Sequence, residues 1–206
     1  SEDFYLLIYF IFLLLLFFIF FNSENNFVPL FFSITSSISN IGISIDKDQS
    51  ELYFIFLILV IIGGSFFSTS SGIRFLKIFS LIKYSFNELL SHSKPKYILI
   101  SKITFNEKKI DQSDINKYFL SVIIFIISLL LICFLLTIAN NDIVESFKLG
   151  ILTIMNTVNS NIYGLENFDF KNIDNFSKLV LMVFMIIGRV ELLTILILAK
   201  KFLFKN

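Results

Sequence analysis

Apolar residues run along this chain in long blocks, not in alternation. Such blocks stand at residues 4–21, 52–67, 118–139 and 179–199. Each approaches the roughly 20 residues that a helix needs to cross a bilayer core, the second being the shortest. The pattern predicts four spanning helices. The first block is read as a retained helix, not a leader, because it follows the acidic Glu2 and Asp3, lacks a basic n-region and precedes no small-residue cleavage site.

Two further stretches, 25–45 and 142–165, are too apolar for open loops and too short to cross. The first, "NNFVPLFFSITSSISNIGISI", leads through a Ser/Thr-rich segment into Ser39-Asn40-Ile41-Gly42-Ile43. The second, "DIVESFKLGILTIMNTVNSNIYGL", leads into Asn159-Ser160-Asn161-Ile162-Tyr163-Gly164. The tripeptide Ser-Asn-Ile recurs, each time between two apolar blocks. The chain thus reads as span, re-entrant segment, span, written twice: 1–90, a basic linker at 91–117, and 118–206. Non-helical backbone at membrane depth must be buried in protein or line water. A ring of backbone carbonyls can hold a dehydrated cation, Gly permits the dihedrals that aim them, and nearby Ser, Thr and Asn can hold that backbone. Amphipathic surface loops with Gly at their turns account for the same two stretches, and the loops alone leave both readings open.

Composition agrees with the bilayer: 56% of the residues are hydrophobic, 28 are Phe, and mean hydropathy is +0.83. A water-soluble domain of 206 residues is excluded. Net charge of +1 carries no information, but its distribution does. Arg74, Lys77, Lys83, Lys94, Lys96, Lys102, Lys108, Lys109 and Lys117 lie between blocks two and three, and Lys200, Lys201 and Lys205 follow block four. The connections after blocks one and three are mostly acidic. The positive-inside rule therefore places the basic regions in the cytoplasm and the re-entrant segments outside. The lone Cys133 falls within block three as a packing residue and the lone His92 in the basic region; neither has partners at ligand spacing, and no metal or cofactor is implied.

Block two runs into "IIGGSFFSTSSGIRFLKIF" (61–79), where Gly63-Gly64-Ser65 and Ser68-Thr69-Ser70-Ser71-Gly72 interrupt it before an amphipathic basic extension. Such a break suggests a movable segment; a helix ending near Ser68, with Gly63-Gly64 allowing close packing, is the competing reading. Block four holds two charges, Arg189 and Glu191. They project ~200° apart on a helix, so they cannot pair with each other. A central Arg costs about 2.5–3.5 kcal/mol to insert and needs a partner or water. An interhelical ion pair that only fixes packing is one way to meet that need.

"GRVELLTIL" (188–196) resembles the final-helix signature of the TrkH subunits of Trk-type bacterial potassium uptake systems, in the wider Trk/Ktr/HKT superfamily. "GGSFFSTSSGIRFLK" (63–77) resembles that family's intramembrane loop, and "SISNIGISI" (37–45) one of its filter segments. The resemblance implies an all-α membrane fold with four span/re-entrant/span repeats around one pore, of which this chain matches the third and fourth. It implies potassium transport, with filter residues Asn40, Ile41, Gly42 and Ile43 in one copy and Asn159, Ser160, Asn161, Ile162 and Gly164 in the other. The gate would comprise Gly63, Gly64, Ser65, Ser68, Thr69, Ser70, Ser71, Gly72 and Arg189, with Glu191 as a structural polar group. Ile162 stands where an ungapped match expects the filter Gly, leaving Gly164 as the other register, and Phe66 and Phe67 stand where the family has small residues.

Expected partners are the missing N-terminal half of the pore, a second copy in a homodimer, a cytoplasmic TrkA-like regulator and the lipid bilayer; nucleic acid is not among them. The chain is expected to be a C-terminal half, fragment or split subunit, in the inner membrane of a bacterium as a multi-pass protein. A non-conducting or degenerate scaffold subunit is the alternative function. An intramembrane enzyme is disfavoured, because the blocks hold no clustered His, Cys or paired carboxylates. The topology is checked by cysteine labelling: Asp48→Cys and Asp169→Cys should react in intact cells and Lys96→Cys only after permeabilisation. Equal reaction at all three positions overturns it.

Overall fold

The computed structural model describes residues 2–20, 27–43, 52–63, 73–92, 104–105, 108–109, 112–157, 161–165, 168 and 173–189. The described chain is helical: α1 (Glu2–Phe20), α2 (Phe27–Ile38), α3 (Tyr53–Ile61), α4 (Phe75–His92), α5 (Gln112–Ile138), α6 (Ile143–Met155) and α7 (Asn175–Arg189), with a 3-10 turn at Asn161–Tyr163. The only extended pairs among the described residues are two residues long. Ile62–Gly63 lies parallel to Ile73–Arg74, and Thr104–Phe105 antiparallel to Lys108–Lys109.

The four apolar blocks correspond to α1, α3, α5 and α7. Ser113–Ile138 of α5 is long and apolar enough to cross a bilayer. The outward face of α5 is as apolar as its inward one: Phe125, Leu129, Ile132 and Leu136 are buried, while Phe119, Ile126, Leu130 and Phe134 are exposed. Such a helix needs hydrocarbon or further apolar protein against its free side. It begins six residues before the apolar block, since a helix's first turn does not have to be apolar; Asp114 near its start suits the positive end of the helix dipole and pairs with Lys117 at 2.7 Å. The second block stops being helical at Ile61, short of Ser68, and the chain re-enters a helix at Phe75. Across that break, the Ile62–Gly63 and Ile73–Arg74 pairing satisfies backbone groups that the ended helix leaves open. Block four is helical through Arg189; its remainder lies outside the described residues.

α2 and α6 have 12 and 13 residues. At 1.5 Å per residue they reach ~18–20 Å, short of the ~30 Å hydrocarbon core. Pro29 is tolerated because it stands in the first turn of α2, and Asp142 caps α6 by accepting from the Val144 N–H at 3.2 Å.

The core gathers around α6, which packs against α3, α5 and α7. Ile34, Phe56, Val60, Ile132, Leu136, Ile154 and Met155 are all but inaccessible within it. Two glycines set the approach distances. A Cβ on Gly150 of α6 would lie 3.0 Å from Ile132 Cγ2 and 3.3 Å from Cys133 Sγ, side chains of α5. A Cβ on Gly188 of α7 would overlap the backbone carbonyl of Ile154 in α6. Small residues let helix backbones touch in this way, and in lipid that packing carries much of the association. Cys133 is thus a packing residue at the α5–α6 contact, its Sγ 3.7 Å from the Ser146 carbonyl.

The two contacts differ in what can yield. Gly188→Ala meets fixed backbone and should destabilise by about 1–3 kcal/mol, whereas the side chains opposite Gly150→Ala can shift. Thermal unfolding of the detergent-solubilised variants checks this. A larger loss for Gly150→Ala than for Gly188→Ala contradicts the packing described.

Candidate functional site

The site is built at the ends of α2 and α6. Both helices, and α5 as well, stop on an asparagine in the left-handed region: Asn40 at φ 57°, Asn156 at φ 53° and Asn140 at φ 63°. Asn tolerates that conformation better than other non-glycine residues. The backbone then folds back in the same pattern each time. The N–H of Asn40 donates to Ser37 O and that of Ile41 to Ser36 O. Asn156 donates to Thr153 O and Thr157 to Leu152 O; Asn140 donates to Thr137 O and Asn141 to Leu136 O. Each end is a Schellman motif.

At the end of α2 the fold-back goes further. The Gly42 N–H also reaches Ser36 O, at 3.5 Å, and the Ile43 N–H donates to Ser36 Oγ at 2.8 Å. Three successive N–H groups therefore point at one serine. Among the described residues no peptide bond is cis, and in a trans peptide the carbonyl preceding each N–H points the opposite way. The carbonyls of Asn40, Ile41 and Gly42 are consequently aimed away from the helix end. Gly42 holds φ 79°, which a side chain would strain. Ser36 is 4% exposed and Ser37 fully buried, while Ile41 and Ile43 are exposed on either side of Gly42. The C-terminal ends of both helices add a partial negative charge, which favours a cation.

The second segment is built differently. α6 ends at Asn156, five residues before Asn161, so the two Ser-Asn-Ile copies do not occupy equivalent places. The first copy forms a helix cap, and the second enters the 3-10 turn. Ile162 and Tyr163 are buried, and the Tyr163 hydroxyl lies 3.5 Å from Ser37 Oγ, linking this turn to α2. Gly164 has φ 67°. Its carbonyl accepts a 2.7 Å bond from Lys148 Nζ, and that ammonium lies 4.2 Å from the centroid of the Tyr53 ring.

Of the gate residues, Gly63 pairs with Arg74 in the short parallel ladder. Arg189 ends the described part of α7, exposed, directly after the glycine that touches α6. Asn156 Nδ2 donates to the Met185 carbonyl at 3.0 Å, so the end of α6 and the last turn of α7 are tied together beside Arg189. Gly64, Ser65, Ser68, Thr69, Ser70, Ser71, Gly72, Asn159, Ser160 and Glu191 lie outside the described residues. Sequence reasoning did not single out Ser36, Asn156, Gly188 or Lys148. The Ser/Thr-rich run announced Ser36 only as one of several, and Lys148 lies in a connection whose charges are mostly acidic.

The fold resembles that of the potassium transporter TrkH from Vibrio parahaemolyticus, with a TM-score of 0.82 and 20% identity, over 96% of this chain and 44% of that one. The chain thus spans less than half the length of that transporter. No curated protein sequence matches it. The pattern of the TrkH family, described as cation transport proteins, matches residues 45–205. A bilayer-facing surface, two short helices ending on turned-back loops and a match over most of its length together place the chain in the TrkH family of cation transport proteins.

Proposed function

We propose that this chain supplies half of a potassium-conducting pore in a Trk-type uptake system of a bacterial inner membrane, crossing that membrane several times. The observation that carries this reading is the convergence of the Ile41, Gly42 and Ile43 N–H groups on Ser36, which leaves three consecutive carbonyls facing away from the helix end. Carbonyls held rigidly in one direction replace the water that a potassium ion sheds. Asn40, Ile41, Gly42 and Ile43 form the first filter segment, and Asn159, Ser160, Asn161, Ile162 and Gly164 the second.

Residues 63–72 act as the intramembrane gate, and the Arg189 guanidinium raises the barrier to cations beside it. Two repeats cannot surround an ion, so the remainder of the pore comes from outside these 206 residues; a second copy and a TrkA-like cytoplasmic regulator complete the assembly. The protein is a conduit, not an enzyme. A second reading, a non-conducting scaffold, draws on the buried Ile162 and on the Gly164 carbonyl being taken by Lys148.

Growth of potassium-uptake-deficient cells on low potassium separates the two readings. The chain with the remainder of its pore should restore growth and the chain alone should not; rescue by the chain alone refutes the half-pore arrangement, and no rescue by the pair favours the scaffold. Within the rescued cells, Gly42→Ser should lower the potassium-to-sodium uptake ratio. Arg189→Ala should raise flux or weaken its dependence on the regulator. Unaltered flux at normal membrane levels removes Arg189 from the gate, and loss of the protein from the membrane identifies it as half of an ion pair.

A further inference from the structure

Lys148 projects from the second turn of α6, three residues after Glu145, and is half-buried where the helix's buried run from Leu149 to Met155 begins. An ammonium in such a place is costly unless its charge is met. Here it is met twice, by the Gly164 carbonyl at 2.7 Å and by the face of the Tyr53 ring, whose centroid lies at 4.2 Å. Three elements join at this point: α6, the turn following Asn161–Tyr163, and the start of α3. The fit around Gly164 is close. A Cβ there would stand 3.0 Å from Lys148 Nζ and 3.1 Å from Tyr53 Cγ, so the ring and the ammonium together close over the glycine.

A cation resting on a backbone carbonyl is the contact a filter makes with a passing ion; here the cation is tethered to the protein. The two filter segments are therefore held by different means. Ser36 anchors the first through its N–H groups and leaves the carbonyls free. Lys148 anchors the second through a carbonyl and withdraws that oxygen from ions. Resting on the potassium-pore reading above, we propose that Lys148 is a positioning residue whose ammonium, clamped between the Gly164 carbonyl and the Tyr53 ring, fixes the orientation of the 161–165 segment and so sets the discrimination between potassium and sodium.

The test measures rubidium and sodium uptake, at matched membrane levels, in cells carrying the chain with the remainder of its pore. Lys148→Met keeps the length of the stem and loses the charge; it should lower the rubidium-to-sodium ratio at least threefold. Lys148→Arg, which can still donate to the carbonyl and stack on the ring, should stay within twofold of the parent. Tyr53→Leu should shift the ratio in the same direction as Lys148→Met, and the double variant should be no worse than Lys148→Met alone. Equal ratios in Lys148→Met and the parent overturn the proposal, as do equal shifts from Met and Arg. A ratio raised by Lys148→Met also overturns it, because Lys148 would then be obstructing the pore and not positioning it. If Lys148→Met does not reach the membrane, Lys148→Gln, a neutral donor unable to bind the ring as a cation, gives the same reading, and an unchanged ratio there is equally fatal. A parent that takes up neither ion refutes the transport reading itself, whereas normal parental uptake with an insensitive position 148 refutes only the role of Lys148.

Discussion

A backbone that leaves helical geometry away from water must find a partner for every N–H and C=O it frees, and the architecture of this chain depends on that constraint. α2, α5 and α6 all meet it by turning back through a left-handed asparagine, so that the first N–H groups past the helix close on its last carbonyls. Asparagine costs some strain there compared with glycine, and its side chain offers something in return. Asn156 Nδ2 reaches the Met185 carbonyl of α7, and Asn141, one residue past the cap of α5, reaches both Leu136 O and Ser177 Oγ. Helix ends thereby double as ties between helices. The break after Ile61 follows the same rule with a different device, a two-residue parallel pairing across the gap.

Much of this was legible in the hydrophobic pattern. Block three became α5 because a run of that length has one stable form in hydrocarbon, and the stop at Ile61 follows from Gly63-Gly64 together with the Ser-rich run. Gly42 was legible because a turn beyond a short apolar helix needs a positive φ, and it has one. The start of α5 at Gln112 was not, since its first residues are polar and their helicity comes from the helix behind them. Pairing the re-entrant segments through Ser-Asn-Ile also missed. The end of a helix is set by where its backbone turns back, and in the second segment that happens at Asn156, ahead of the tripeptide.

The remaining gap between sequence and site concerns side chains that act through space. Lys148 lies sixteen residues from Gly164, and its significance depends on Tyr53, which arrives from the other half of the chain. Likewise Gly188 reads as part of a signature, yet its physical role is to let α7 rest on the backbone of α6 at Ile154, which fixes where the next residue, Arg189, leaves the helix. Neither relation has a spacing that a periodicity could reveal.

The length of α5 has a mechanical implication. Its 27 residues extend for ~40 Å, about 10 Å more than the hydrocarbon that surrounds it. Its first turns, with Asp114 and Lys117, therefore project into the headgroup layer as a stiff rod continuous with the core. A push on that rod is not absorbed in a hinge; it arrives at Ile132 and Cys133, which press directly on Gly150 of α6. Whatever grips the projecting end has a lever arm on the helix that carries the second turned-back loop.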